Sequence, residues 1–352
     1  MTPVNKAPVL SMKDVHKEFY GNKVLKGIDL DVHEGEIHGL VGENGAGKTT
    51  LMNILFSMPV IHETGGFSGE VWFHGARVEF KNPRDAMDAG IGMVHQEFML
   101  LPGFTVTENI KLNRETTVPN FMSRVAGRRL ETLDFPSMRS DSRRALDKLE
   151  LSIDEWAPVA GMPVGHMQFI EIAREIDKKA VALLVLDEPT AVLTESEAAH
   201  LLKAVKIVAS SGIAVLFISH RLDEVIEVAD NITVLRDGEV VGRMPGKEAR
   251  VDRIAELMVG RSLGGVAKRE SGKKEGAREV ALRVSDLEVD MPGEVVRDVS
   301  FEAFKGEILG IGGLAGQGKL GVANGIMGLR PARGRVEKDG RVVPLNNARA
   351  AL

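Results

Sequence analysis

The sequence predicts an α/β fold built on a phosphate-binding loop, the P-loop NTPase class, followed by a partial second copy of the same unit. Three observations carry this. Gly42-Glu43-Asn44-Gly45-Ala46-Gly47-Lys48-Thr49 matches G-x-x-x-x-G-K-[ST], Val181–Leu186 is an apolar run that ends in Asp187-Glu188, and the chain repeats itself at a fixed offset.

Taken in order, Glu36–Val41 reads as a short strand running into the loop. Lys48–Phe56 then reads as a helix with Leu51, Ile54 and Leu55 on one face. Strand, glycine loop and helix aim a helix N-terminus at a phosphate. The glycines turn backbone N–H groups inward, Lys48 adds a point charge, and the Thr49 hydroxyl suits Mg²⁺. Without those flanks the same residues would be only a glycine-rich turn.

Ile91–Val94 reads as the next strand, followed by His95-Gln96-Glu97. A glutamine there can ligate Mg²⁺ or orient water. The run Phe98–Phe104, with Pro102 and Gly103 inside it, is either a partner-docking surface or a packed corner of a helical insert. Val181–Leu186 has the pattern of a buried parallel strand. Asp187 at its end can help to hold Mg²⁺, and Glu188 is placed to take a proton from water. Ile213–Ile218 is a second such strand, ending in Ser219-His220, where open α/β sheets bind ligands. A lone histidine at a strand end is more often a surface residue, but its place after the loop and the acidic strand favours a role at a γ-phosphate.

Gly35-Glu36-Ile37 recurs as Gly306-Glu307-Ile308, and Gly42, Gly45, Gly47 and Lys48 recur as Gly313, Gly316, Gly318 and Lys319, each 271 residues later. Gly69 and Gly75 recur as Gly334 and Gly340, now 265 residues later. The expected organisation is a first domain over residues 8–261, a linker over 262–279 rich in Gly, Lys, Arg and Glu, and a second, incomplete domain over 280–352. The second copy is expected to end before counterparts of Asp187, Glu188 and His220. It also carries Leu320 where the metal-binding hydroxyl should stand.

The bulk properties narrow the functions. The 352 residues are 43% hydrophobic and 27% charged, with a net charge of −5, so no overall basic field invites nucleic acid. The Arg124/Arg128/Arg129 and Arg139/Arg143/Arg144 clusters read as solvated helix faces. The sequence contains no cysteine, which excludes thiolate catalysis and thiolate-bound zinc and fits a reducing cytosol. No apolar run reaches membrane-span length, and residues 1–10 have no signal-peptide core.

These motifs together resemble the nucleotide-binding subunits of ABC transporters, and more closely the tandem ATP-binding proteins of sugar and nucleoside importers. The resemblance covers nearly the whole chain and is most specific at Gly42–Thr50, Val94–Glu97, Leu186–Thr194 and Ile218–Arg221. It implies an ABC-type parallel-sheet core with an antiparallel β subdomain and a helical subdomain. The implied ATP contacts are Tyr20, stacked on adenine with Phe19 as the competing candidate, together with Gly42, Glu43, Asn44, Gly45, Ala46, Gly47, Lys48, Thr49 and Thr50. Thr49, Gln96 and Asp187 would arrange Mg²⁺, Glu188 would be the general base, and His220 the γ-phosphate switch. Pro189–Thr194 would meet an opposing domain. The family signature Leu-Ser-Gly-Gly-Gln falls on Met162-Pro163-Val164-Gly165-His166, so Gly165 and, downstream, Gln168 are its weak remnants. Pro163 replaces the serine expected at the opposing γ-phosphate and brings neither a hydroxyl nor a backbone N–H.

The implied function is an ATPase subunit on the cytoplasmic face of a cell membrane that energises an importer. Its implied partners are permease subunits and, through them, a solute-binding protein. A second nucleotide-binding domain must come from a homodimer or another chain, and no direct contact with nucleic acid is expected. Two rival readings remain: an ATP-binding module with little hydrolysis of its own, and a soluble ABC protein outside transport.

Overall fold

A computed structural model of the chain describes residues 7–95, 97–178, 180–260, 279–313 and 316–351. Gln96 and residues 262–278 of the expected linker lie outside the described residues. The chain divides into two compact units, Met1–Val266 and Ala267–Leu352.

The first unit begins with strands β1 (Pro8–Phe19), β2 (Asn22–His33) and β3 (Ile37–Gly42), then helices α1 (Lys48–Leu55) and α2 (Pro59–Glu63). Strands β4 (Ser68–Phe73) and β5 (Ala76–Arg77), helix α3 (Pro83–Asp88) and strand β6 (Ile91–Val94) follow. A largely helical insert holds α4 (Val106–Lys111), β7 (Thr117–Val118), α5 (Phe121–Ala126), β8 (Thr132–Leu133), α6 (Phe135–Lys148) and α7 (Val164–Ile176). The unit closes with β9 (Leu183–Asp187), α8 (Glu195–Ser210), β10 (Ala214–Ile218), α9 (Leu222–Val228), β11 (Asn231–Arg236), β12 (Glu239–Pro245) and α10 (Val251–Val259).

Two sheets dominate this unit. One is a six-stranded sheet in the order β12-β11-β3-β10-β9-β6, parallel except for the β11–β12 pair. The other is antiparallel, β2-β1-β4-β5. The parallel strands read as unbroken apolar runs because both faces are covered. In β9 and β10, Leu184, Leu186, Val215 and Phe217 join one core, whereas Leu183, Val185, Ala214, Leu216 and Ile218 join the other. This period of two is the strand pleat itself. The expected parallel core, β subdomain and helical subdomain are all present.

The second unit holds β13 (Val280–Val289), β14 (Val296–Phe304), α11 (Lys319–Ile326), β15 (Ala332–Lys338), β16 (Arg341–Val343) and α12 (Ala348–Ala351). Its sheet, β14-β13-β15-β16, repeats the order β2-β1-β4-β5 of the first unit. Val284, Leu287, Val289, Val296 and Val322 form its small core.

Candidate nucleotide site

The site assembles at the carboxyl ends of β3, β9 and β10. Register sets this convergence, since Ile218 at the end of β10 lies beside Asp187 of β9 on one side and Leu40 of β3 on the other. The loop that leaves β3 is fixed by close packing. A Cβ at Gly42 would stand 2.6 Å from the Leu235 carbonyl, and one at Gly47 would stand 2.6 Å from Leu25 Cδ2. Gly47 also has φ +106°, so it must be glycine on conformational grounds too. As the N-cap of α1 it supplies no side-chain hydrogen bond, which leaves the first-turn amides at Lys48, Thr49 and Thr50 to an anionic ligand. Glu43, Asn44, Gly45 and Thr49 are exposed, Thr50 is half-buried and Ala46 is buried.

Lys48 is 8% exposed and donates to the carbonyls of Gly42 (2.7 Å) and Glu43 (3.1 Å). Burial pushes its ammonium below the usual lysine range, while Glu188 and Asp187 pull it back up. The same two forces act on Asp187. Burial and the Glu188 charge raise its carboxyl, with His95 and Lys48 opposing them. Two half-buried carboxylates crowded beside a phosphate loop are a natural seat for a hard divalent cation. Among the described residues no three His, Asp or Glu side chains cluster to hold a metal by themselves. Thr49 and Asp187 are the residues here that would hold a Mg²⁺, beside the phosphate of a bound nucleotide.

Glu188 has φ +49°, a left-handed conformation that non-glycine residues rarely adopt. Its backbone N–H donates to the Ile218 carbonyl at 2.8 Å, and its Oε1 lies 3.0 Å from His220 Nδ1. This contact holds the imidazole and the carboxylate within ion-pair reach of each other. One residue pair thus joins the candidate base to the candidate switch. The two loops are linked again further out, where Thr190 Oγ1 donates to Glu224 Oε2. Sequence reasoning missed Thr190 and Glu224 as site residues, because nothing local marks a glutamate four residues after a histidine.

Tyr20 is 96% exposed in the turn after β1, whereas Phe19 is half-buried and packs on the core beneath it. Only Tyr20 of the two therefore presents a free ring. Gln96 is bracketed by described neighbours: Met93 N–H donates to Glu175 (3.2 Å), Met99 N–H to Glu171 (2.6 Å), and Arg174 to the Met99 carbonyl (3.1 Å). All three partners lie on α7. The run after Gln96 is divided, with Leu100 buried but Met99, Leu101 and Phe104 each at least 40% exposed.

The signature region departs from expectation. Pro163 is the N-cap of α7 and gives it no side-chain cap. Gly165 is buried, and a Cβ on it would stand 2.6 Å from Glu197 Oε1 at the start of α8. Gln168 is 2% exposed, with its Nε2 buried and without a partner. One helical turn beyond Gly165 it faces the interior.

In the second unit, Gly318 caps α11 with φ +88°, and Lys319 Nζ donates to the Gly313 carbonyl at 2.5 Å. The Gly316 N–H donates to Glu294 Oε1 at 3.1 Å. The stretch preceding the loop forms no strand, and Ile308 and Ile311 are 86% and 52% exposed.

Residues 25–191 match the model of the ABC transporter family. The chain is 37% identical to a xylose import ATP-binding protein of Thermoanaerobacter pseudethanolicus, an alignment covering 98% of this chain and 66% of that protein. It is 39% identical to a ribose import ATP-binding protein of Chelativorans (96% and 62%) and 36% identical to a galactose/methyl galactoside import ATP-binding protein of Clostridium tetani (96% and 64%). The chain thus spans a little under two thirds of the length of these relatives. Among solved structures, an ATP-binding cassette of an ABC transporter in its ADP conformation superposes with a TM-score of 0.59 at 24% identity, covering 72% of this chain and 96% of that one. A dimeric bacterial ABC transporter cassette gives 0.54 at 22% identity, covering 68% and 100%. At such identities these likenesses speak for the fold alone.

Proposed function

Because the chain belongs to the ABC transporter family of ATP-binding proteins, we propose that its first unit binds and hydrolyses ATP with Mg²⁺ and so energises a sugar importer. The observation that carries this is the convergence of loop, acids and histidine at the ends of β3, β9 and β10, with Glu188 and His220 already 3.0 Å apart. The sugar reading is supported by relatives named for xylose, ribose and galactose import. Among the described residues no helix is long and apolar enough to cross a membrane, so coupling to transport runs through permease subunits at the inner face of the membrane.

Lys48 and the first-turn amides of α1 hold the phosphates, and Tyr20 stacks on the adenine. Thr49, Asp187 and Gln96 hold the cation, which when bound neutralises charge on the phosphate oxygens. Glu188 takes the proton of the attacking water through the carboxylate oxygen that His220 does not engage. His220 Nε2 faces the γ-phosphate. Charge stabilisation by fixed donors supplies most of the acceleration.

The test is ATP turnover by the protein with its permease, alongside nucleotide retention by Glu188→Gln. Turnover in the wild type with retained ATP in the variant supports the reading. Neither result sinks it. The exposed, cap-free Pro163 favours a second reading, in which this chain binds ATP but hydrolyses it poorly. A large rise in turnover on Pro163→Ser would support that reading, and no change would argue against it.

A further inference from the structure

We propose that Glu224 is a positioning residue of this site, one that holds Thr190 and Arg221 and thereby fixes the spacing of Glu188 and His220. The proposal rests on the roles given above to Glu188 and His220, and it adds the element that keeps them in register.

Glu188 occupies a left-handed conformation, which persists only where surrounding contacts over-determine it. Backbone bonds supply part of that constraint. Glu188 N–H is held by Ile218 O, and the Glu188 carbonyl accepts from Ala191 N–H at 3.2 Å. The Thr190 carbonyl also accepts from Leu193 N–H at 3.1 Å, so what is left for a side-chain partner is the Thr190 hydroxyl. Thr190 is 1% exposed, so its hydroxyl must find a partner inside the protein, and that partner is Glu224 Oε2. The other oxygen, Oε1, accepts from Arg221 Nη1 at 2.8 Å.

Arg221 is the residue after His220 and the N-cap of α9, where it provides no side-chain cap of its own. Its backbone N–H donates to Ser219 Oγ at 3.0 Å, on the other side of His220. One carboxylate, largely shielded with 14% side-chain exposure, therefore grips both loops. It grips the first two residues after Glu188 and the second one residue after His220. Each grip is a short lever, so a shift at Glu224 moves both members of the 3.0 Å pair.

The test reads the pair directly and needs neither nucleotide nor partner. In protein labelled with ¹⁵N-histidine, nine imidazoles are observed, and His220→Gln identifies the His220 signals. Glu188→Gln then shows how the His220 Nδ1 shift changes when the neighbouring carboxyl is replaced by an amide. Glu224→Ala is expected to move the Nδ1 signal in the same direction. Thr190→Val, a change that keeps the shape and removes only the hydroxyl, should do likewise, and Thr190→Ser should restore the wild-type position. In the transport complex Glu224→Ala and Thr190→Val should each lower kcat about tenfold with KM for ATP kept within about twofold, because loss of alignment spares ground-state binding. A His220 signal unmoved in both Glu224→Ala and Thr190→Val overturns the proposal, as does failure of Thr190→Ser to restore it. If the wild type shows no ATP turnover, the ATPase reading fails, yet the imidazole spectra still decide whether Glu224 sets the pair.

Discussion

The two phosphate loops of this chain make the same local turn and sit in different surroundings. Gly47 and Gly318 both cap a helix in the left-handed region, and Lys48 and Lys319 both reach back to the glycine that opens their loop. Before each loop the same turn recurs, with Glu36 accepting from His33 N–H at 2.8 Å and Glu307 from Phe304 N–H at 3.0 Å. Then the likeness stops. Ile37, Leu40 and Val41 are buried in the middle of a sheet, while Ile308 and Ile311 lie exposed and unpaired among the described residues. The spacing of glycines and lysine thus specifies the turn. The neighbouring strands specify the site, because they alone bring acids and a histidine to it.

This comparison can be broken most sharply at Glu188, which has no counterpart beside the second loop among the described residues. Glu188→Gln should lower ATP turnover about 10²–10⁴-fold with ATP binding retained, measured as steady-state phosphate release beside nucleotide binding. An unaltered rate would mean that the first loop does not owe its chemistry to the strand beside it.

The next test compares Glu36 with Glu307. Burial pushes the Glu36 carboxyl up, but hydrogen bonding and charge from His38, with bonds from Asn231 and the His33 N–H, outweigh it and hold the group at about 2. A folded-state value below the unfolded one adds stability that is fully present above the unfolded carboxylate range and is lost as pH falls toward 2. At neutral pH the contribution is about 3 kcal/mol at most. Glu36→Gln should therefore lower the melting temperature at pH 7 and flatten its fall between about pH 5 and 3. Glu307→Gln, on an exposed turn, should cost under about 0.5 kcal/mol. Equal losses would show that the turn alone, and not its packing on β11, provides the stability.

Lys48→Ala should weaken ATP binding about 10–100-fold, the cost of charge-assisted bonds to phosphate, whereas Lys319→Ala should leave it unchanged. Titration calorimetry separates the two. The smallest effect is expected from Leu320→Thr. Restoring the hydroxyl should create no Mg²⁺-dependent ATP site in this chain, because among the described residues no acidic strand stands beside it. Appearance of such a site would show that the hydroxyl was the only missing part.

Much of this was legible in the sequence because it is local. The glycine spacing, the apolar runs Val181–Leu186 and Ile213–Ile218, and the choice of Asp187, Glu188 and His220 follow from patterns a few residues long. What escaped depends on contacts between distant segments. That Gln168 is buried follows from how α7 packs, which its local sequence does not reveal. Gly165 needs its missing Cβ because Glu197 approaches it from another helix. The Thr190–Glu224 link joins residues 34 apart and has no periodic signal.

The Glu294 contact bears on how each unit depends on nucleotide. A loop of converging amides is an anion trap, and in the second unit a carboxylate of the same chain already fills part of that role at Gly316. The repeat aligns Glu294 with Lys23, so the sign of the charge at this position is reversed between the copies. Ligand linkage turns this into a difference in thermal behaviour. The first unit is expected to gain stability with nucleotide concentration, about 2.7 kcal/mol at a hundred times Kd, while the second, which carries its own counter-charge at Gly316, is expected to gain less.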